Sequence, residues 1–139
     1  MYQSELFNRA MGILGDSPIK HEMYYITEGD GQFQNTFYQC PKGVVLYFST
    51  QSQFAMYNEE YEGARDIFVD VKIGRRPLGI FVPYHSLVKG YYSEMREFKN
   101  VDTIYSLHTE YLLKPGEYIH FPKCDYFMLT CQRFMRMAD

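Results

Sequence analysis

Five tyrosines and four glutamates are the residues of this chain whose types could do chemistry together. Tyr47, Tyr84, Tyr92 and Tyr118 fall in segments that read as strands, and Tyr61 in one that reads as a helix. Glu60, Glu94, Glu110 and Glu117 are the candidate acids. Tyrosines around a cavity suit flat, lipophilic, often cationic molecules, because ring faces stack and attract cations while hydroxyls bond polar edges. A buried carboxylate adds charge selectivity, at a desolvation cost that a cationic ligand relieves. Glu117 and Tyr118 follow directly on a Pro115-Gly116 turn, in "LKPGEYIHFPK". Strict alternation along the strand that follows puts those two side chains on opposite faces of a sheet.

His85, His108 and His120 are the other tempting set. No His-x-His occurs, and His120 and Cys124 straddle a proline and a lysine at a spacing no common metal site uses. No metal and no cofactor is expected. The cysteines, Cys40, Cys124 and Cys131, are an odd set at spacings unlike any disulfide framework or zinc knuckle, which points to a reducing compartment. Cys124 and Cys131 read as buried apolar residues about two turns apart on one helix.

The elements that must position these residues begin with a helix in "SELFNRAMGILGDSP". Ser4 is its candidate N-cap, and Leu6, Phe7, Ala10, Met11 and Leu14 form one stripe. Such a short helix needs something to pack on, whether the domain, a twin chain or a further segment. Residues 1–17 are therefore read as a helical appendage and 18–139 as the domain. "HEMYYITEGDGQFQNTFYQ" reads as two strands around Gly29-Asp30-Gly31, "GVVLYFST" as a third strand and "QSQFAMYN" as a polar loop. "NEEYEGARDIFVDVKIG" reads as a helix capped by Asn58, with Tyr61, Ala64, Phe68 and Val71 on its buried stripe. Strands are expected in "PLGIFVPYHS", in "YYSEMREFKNV" after a turn at Lys89-Gly90, in "YSLHTEYLL", and from Glu117 to Phe121. "DYFMLTCQRFMRMAD" reads as a closing helix capped by Asp125. Twice, then, a Pro/Lys/Gly turn leads into a strand and an amphipathic helix, as in an internal duplication.

Composition bounds the rest. The 139 residues carry 14 Tyr and 11 Phe with no Trp, an aromatic load that suits a core with polar tips, an interface or a binding cavity. A net charge of −3, with no basic cluster longer than Arg75-Arg76, argues against direct nucleic-acid contact. No apolar run is long enough for a signal peptide or a membrane span, so a cytoplasmic chain without membrane contact is expected.

"LLKPGEYIHF", "EEYEGARDIFVDVKIGRRPLGIFVPY", "YYSEMREFKNV" and "DYFMLTCQRFMRMAD" together resemble the effector-binding domains of MerR-type multidrug transcription activators, whose fold is shared by gyrase-inhibitory-protein-like small proteins. The resemblance covers residues 18 to 139. It implies an α+β fold of duplicated β-α-β-β units, an antiparallel sheet with helices packed on it, and a second unit incomplete at the C-terminus. The family's pocket tyrosines match Tyr118 and Tyr61. Its DNA-binding head has no counterpart here, and the N-terminal helix looks like a remnant of the dimerisation helix. The strands that carry the family's ligand-pairing carboxylate are also missing, so no acid is carried across. The hairpin 21–39 is expected to take their place, within the chain or from a twin.

The reading is a sensing domain of transcription-regulator type that binds a small lipophilic or cationic aromatic molecule. Tyr61, Tyr118, Tyr84, Tyr47, Tyr92 and Glu117 are its ligand-binding candidates, with no catalytic residue assigned. A homodimer stays among the expected states. The alternatives are a small-molecule hydrolase using a Tyr/Glu pair in one cavity, and a protein-interaction module of gyrase-inhibitor type.

Overall fold

A computed structural model describes residues 5–14, 19–27, 33–57, 67–92, 105–107, 109–123 and 126–137. The described elements are helix α1 (Glu5–Ile13) and strands β1 (Ile19–Thr27), β2 (Phe33–Gln34), β3 (Phe37–Gln39), β4 (Val44–Phe48), β5 (Gln53–Tyr57), β6 (Ile67–Arg75), β7 (Val82–Tyr92), β8 (Tyr105–Ser106), β9 (Tyr111–Leu113), β10 (Tyr118–His120) and β11 (Tyr126–Arg136). They build two antiparallel sheets. The first runs β8-β5-β11-β4-β9, with β1 on the remaining edge of β11; the second runs β2-β3-β10-β6-β7. The class is α+β on antiparallel sheet, as the sequence predicts. Among the described residues, no helix is long and apolar enough to cross a membrane.

Alternation explains how the two sheets meet. Val69, Val71 and Ile73 of β6 point one way and Phe68, Asp70 and Lys72 the other, so one face is buried and the opposite face is open. Val44, Leu46 and Phe48 of β4 join them across the gap, with Ile119, Leu87, Val88, Phe127, Leu129 and Cys131, in one continuous core. The first sheet is covered in part on its other face, where Met23, Tyr25 and Tyr126 stay exposed. Val45, Tyr47, Leu112 and Phe134 lie under Ala10 and Leu14 of the helical segment, with Leu6 and Phe7 alongside. The Phe7 ring meets Phe134 and Tyr47 edge-on at 5.4 and 5.6 Å, and His21 stacks on Phe134 at 4.4 Å. The stripe read from the N-terminal segment therefore packs on this chain's own sheet; of its members Met11 is exposed. Ser4 lies outside the described residues.

Several expectations are corrected. The helix expected over 58–74 is strand β6 from Ile67 on, and residues 58–66 lie outside the described set. Its apparent three-to-four spacing competes with the strict alternation of "IFVDVKI", and the β-branched residues decide for strand. The closing helix is strand β11, so Cys131 sits on a strand and Cys124 lies outside the described residues. Its core-facing side, Phe127, Leu129 and Cys131, is buried, but the apolar Tyr126, Met128 and Phe134 sit on the other side and blur the alternation that would mark a strand. "QSQFAMYN" contains strand β5, and Lys89-Gly90 lies inside β7, not at a turn. The segment 21–39 is not one hairpin: β1 pairs with β11 in one sheet, while β2 and β3 pair in the other. The duplicated β-α-β-β units are accordingly not confirmed.

The core makes a direct test available. Phe134 is fully buried between β11's neighbours and the helix, so Phe134→Ala is expected to cost about 3–5 kcal/mol in urea denaturation. A loss below about 1 kcal/mol would mean that α1 does not seat on this face.

Candidate functional site

Lys114-Pro115-Gly116-Glu117 is the turn that carries the chain from β9 in the first sheet to β10 in the second. Proline presets the second position, and Gly116, at φ 89°, supplies the positive φ that a type II turn needs at the third. The Glu117 N–H donates to the Lys114 carbonyl at 3.1 Å, and the Lys114 N–H donates back to the Glu117 carboxylate at 2.7 Å. The turn is thus closed by backbone and by side chain. Cys40 and Gly116–Glu117 exchange backbone bonds at 2.9 Å, which extends the β3–β10 pairing up to the turn.

From that position Glu117 faces inward with Ile119 and Phe121, and only 5% of it is exposed. Two phenols converge on its second oxygen. Tyr84, on the edge strand of the second sheet, donates to Oε2, and Tyr111, on the first sheet, donates to the same atom at 3.0 Å. The carboxylate therefore takes donors from both sheets and from its own turn, which is how a charge becomes tolerable in a nearly dry setting. Tyr84 gets there through a register irregularity: Ile73 pairs with His85 and Gly74 with Pro83, leaving Tyr84 between them. His85 stacks on the Tyr111 ring at 4.6 Å.

The electrostatic consequence is a set of protonated neighbours. Burial, followed by the charge of Glu117, pushes the Tyr111 hydroxyl well above its ordinary range. Burial and the bond to Glu117 raise Tyr84 as well, while Arg75, close to its hydroxyl, works in the opposite direction. Burial first and Glu117 second raise the Cys40 thiol to about 12, so it stays a neutral donor to the Val44 carbonyl at 3.2 Å.

Tyr84 also faces outward. With Asp70, Lys72, Pro83, His85, Ser86 and Lys89 it lines an open cleft of about 410 Å³ on the β6–β7 side of the second sheet. Ser86 donates to Asp70 at 2.8 Å, and the Lys72 ammonium stands 3.8 Å from the same carboxylate. Beside the cleft the sheet's outer face turns aromatic. Pairing sets Phe37, His120, Lys72 and Ser86 in one row across four strands. Phe81 folds back onto Phe37 and His120, with ring centroids at 5.2 and 5.5 Å. The Arg76 guanidinium lies 4.1 Å from the centre of the Phe37 ring and 5.4 Å from that of Tyr118. Gly74 makes room for this fold-back, since a Cβ there would stand 2.2 Å from the Val82 carbonyl oxygen and 2.8 Å from the Phe81 ring. Burial, reinforced by Lys72, lowers the His120 pKa.

Of the sequence-derived candidates, the structure brings Tyr84 and Glu117 together. Tyr118 lies on the opposite face of β10 from Glu117, as alternation requires. Tyr47 belongs to the layer under α1, where its hydroxyl donates to Glu110, far from the cleft lining. Tyr61, Glu60, Glu94 and His108 lie outside the described residues, and of Tyr92 only its place at the end of β7 is described. Tyr111 escaped the sequence reading, although its two-residue spacing from the buried Leu113 aimed it inward. Among the described residues no group of three His, Cys, Asp or Glu is placed to hold a metal. The chain matches no family model, no curated protein and no solved structure.

The pKa directions fix an alkaline response. Tyr84 and Tyr111 hold their protons in the folded state above pH 10.0, the ordinary value at which the unfolded chain releases them. Their contribution to stability is thus complete below that pH and falls as pH rises past it. The melting temperature is expected to drop there, and to drop less steeply in a Tyr84→Phe/Tyr111→Phe variant. Identical slopes in the two proteins would show that these hydroxyls carry none of the response.

Proposed function

We propose that this chain is a small-molecule-binding module, whose ligand sits in the cleft along β7 and is registered by the core through Tyr84. The observation that carries the reading is the double position of that residue. Its ring is a wall of the cleft, and its hydroxyl is one of the three donors holding a buried carboxylate between two sheets. A ligand that moves the Tyr84 ring must change the solvation of Glu117, so occupancy and sheet-to-sheet packing are coupled. This supports the sensing role that the resemblance to effector-binding domains implies. The cleft's charges favour a different ligand sign: Lys72 and Lys89 stand against one acid, Asp70, which Ser86 and Lys72 already engage. A planar molecule with a carboxylate or phosphate group fits them better than a lipophilic cation does.

Hydrolysis by a Tyr/Glu pair is the second reading, because Tyr84 and Glu117 do meet. Its chemistry is disfavoured by what they are doing. Glu117 is buried and accepts three hydrogen bonds, so it is poorly placed to polarise a water in the cleft. Both phenols are pushed toward staying protonated, which suits donors and not bases.

Thermal melts against planar aromatic carboxylates and phosphates, their neutral isosteres and lipophilic cations test the proposal. An anionic ligand at one hundred times its dissociation constant is expected to add about 2.7 kcal/mol. Tyr84→Phe and Lys89→Ala should each lose most of that shift. Stabilisation by cations alone would reverse the ligand assignment; turnover of an activated ester that Glu117→Gln abolishes would favour the hydrolase.

A further inference from the structure

The β6–β7 connection is built unlike an ordinary surface turn. Exposed turns are generally polar, because their residues must stay in water. Here Leu78 is 100% exposed and Ile80 68%, with Val82 and Tyr84 each at 49% just beyond them. The backbone holds this tip out at some expense. Leu78 adopts φ 55°, which residues with a side chain rarely do, and Gly79 follows at φ 82°. The Gly79 and Ile80 N–H groups close the turn onto the Arg76 and Pro77 carbonyls at 3.2 and 3.1 Å. At its base the loop is pinned on both sides, by Arg76 over Phe37 and Tyr118 and by Phe81 against Phe37 and His120. Gly74 is left without room for a Cβ by the same packing. The tip is thus a fixed apolar knob.

Charge surrounds it with one sign. Between Lys72 and Lys89, both of which stand beside Asp70 further along the strands, the chain carries Arg75 and Arg76 and no carboxylate, in a protein whose net charge is −3. Arg75 is exposed next to the knob. Apolar side chains at a tip and cations at its base make the pattern that seats a peripheral protein on an anionic lipid surface. The apolar residues enter the headgroup–acyl boundary while the cations stay at headgroup level. A knob of two exposed apolar residues also offers too little area for a stable protein–protein interface by itself.

We propose that the Leu78–Ile80 tip is a lipid-contact element, which docks the chain by its β6–β7 end onto membranes carrying anionic headgroups. Among the described residues no helix is long and apolar enough to cross a membrane, which bears on crossing a bilayer by a helix and not on resting at its surface. The proposal is independent of the cleft's ligand, since Leu78 and Ile80 do not line the cleft.

Flotation of the purified chain with phosphatidylserine/phosphatidylcholine vesicles, and with phosphatidylcholine alone, tests it. The chain is expected to float with the anionic vesicles, to float with them less as salt rises, and to stay behind with the neutral ones. Leu78→Ser/Ile80→Ser alters only exposed side chains, so it should melt like the parent while its partitioning falls roughly tenfold or more. Arg75→Gln should weaken partitioning several-fold. Parent and Leu78→Ser/Ile80→Ser variant floating equally would overturn the proposal. So would a parent that ignores both vesicle types.

Discussion

The Glu117 carboxylate lies where the chain crosses from one sheet to the other, and it is the point at which the two sheets are held in polar register. Apolar burial supplies the bulk of the attraction between them, but it is non-directional. Glu117 adds direction. Its donors come from β7 of the second sheet, from β9 of the first and from the turn between β9 and β10, so all three must be in place together. Loss of any one leaves a buried polar group short of a partner, at about 1–3 kcal/mol for each group. The raised pKa values of Tyr84, Tyr111 and Cys40 follow first from burial and then from the Glu117 carboxylate beside them.

The rest of the molecule is arranged around an asymmetry between the sheets. On the outer face of the first sheet α1 covers one end, with Phe7, Phe134 and His21 in ring contact, and leaves Met23, Tyr25 and Tyr126 exposed. The outer face of the second carries the aromatic row, the open cleft and the β6–β7 tip. Tyr84 is the residue that joins that second surface to the interior. The aromatic surplus of the composition divides accordingly. Phe48, Phe54, Phe121 and Phe127 fill the core, while Phe37, Phe81 and Tyr118 stay on the outer surface under Arg76.

What the sequence made legible follows from which signals were local. The Pro115-Gly116 turn and the opposite facing of Glu117 and Tyr118 each depend on a few neighbouring residues and are found as read, whereas which of the two faces inward was not legible, and Met11 of the α1 stripe is exposed. The two misread helices depend on what packs against them. β11 carries apolar residues on both faces, so its two-residue rhythm is blurred, and its partners β1, β4 and β5 identify it as a strand. The site is similar. Glu117 and Tyr84 could be singled out separately, but their meeting, and the presence of Tyr111, depend on the crossing between sheets and on the irregular β6–β7 register. Neither is written in any one segment.

The central claim is that Tyr84 and Glu117 act as one unit linking surface to core. A double-mutant cycle on folding stability, with Tyr84→Phe, Glu117→Gln and the pair, measures this directly. The expected result is a coupling energy above about 1 kcal/mol, because each single change already breaks the bond that the other would break. Effects that add to within about 0.5 kcal/mol would contradict it, leaving Tyr84 as a wall of the cleft with no hold on the interior.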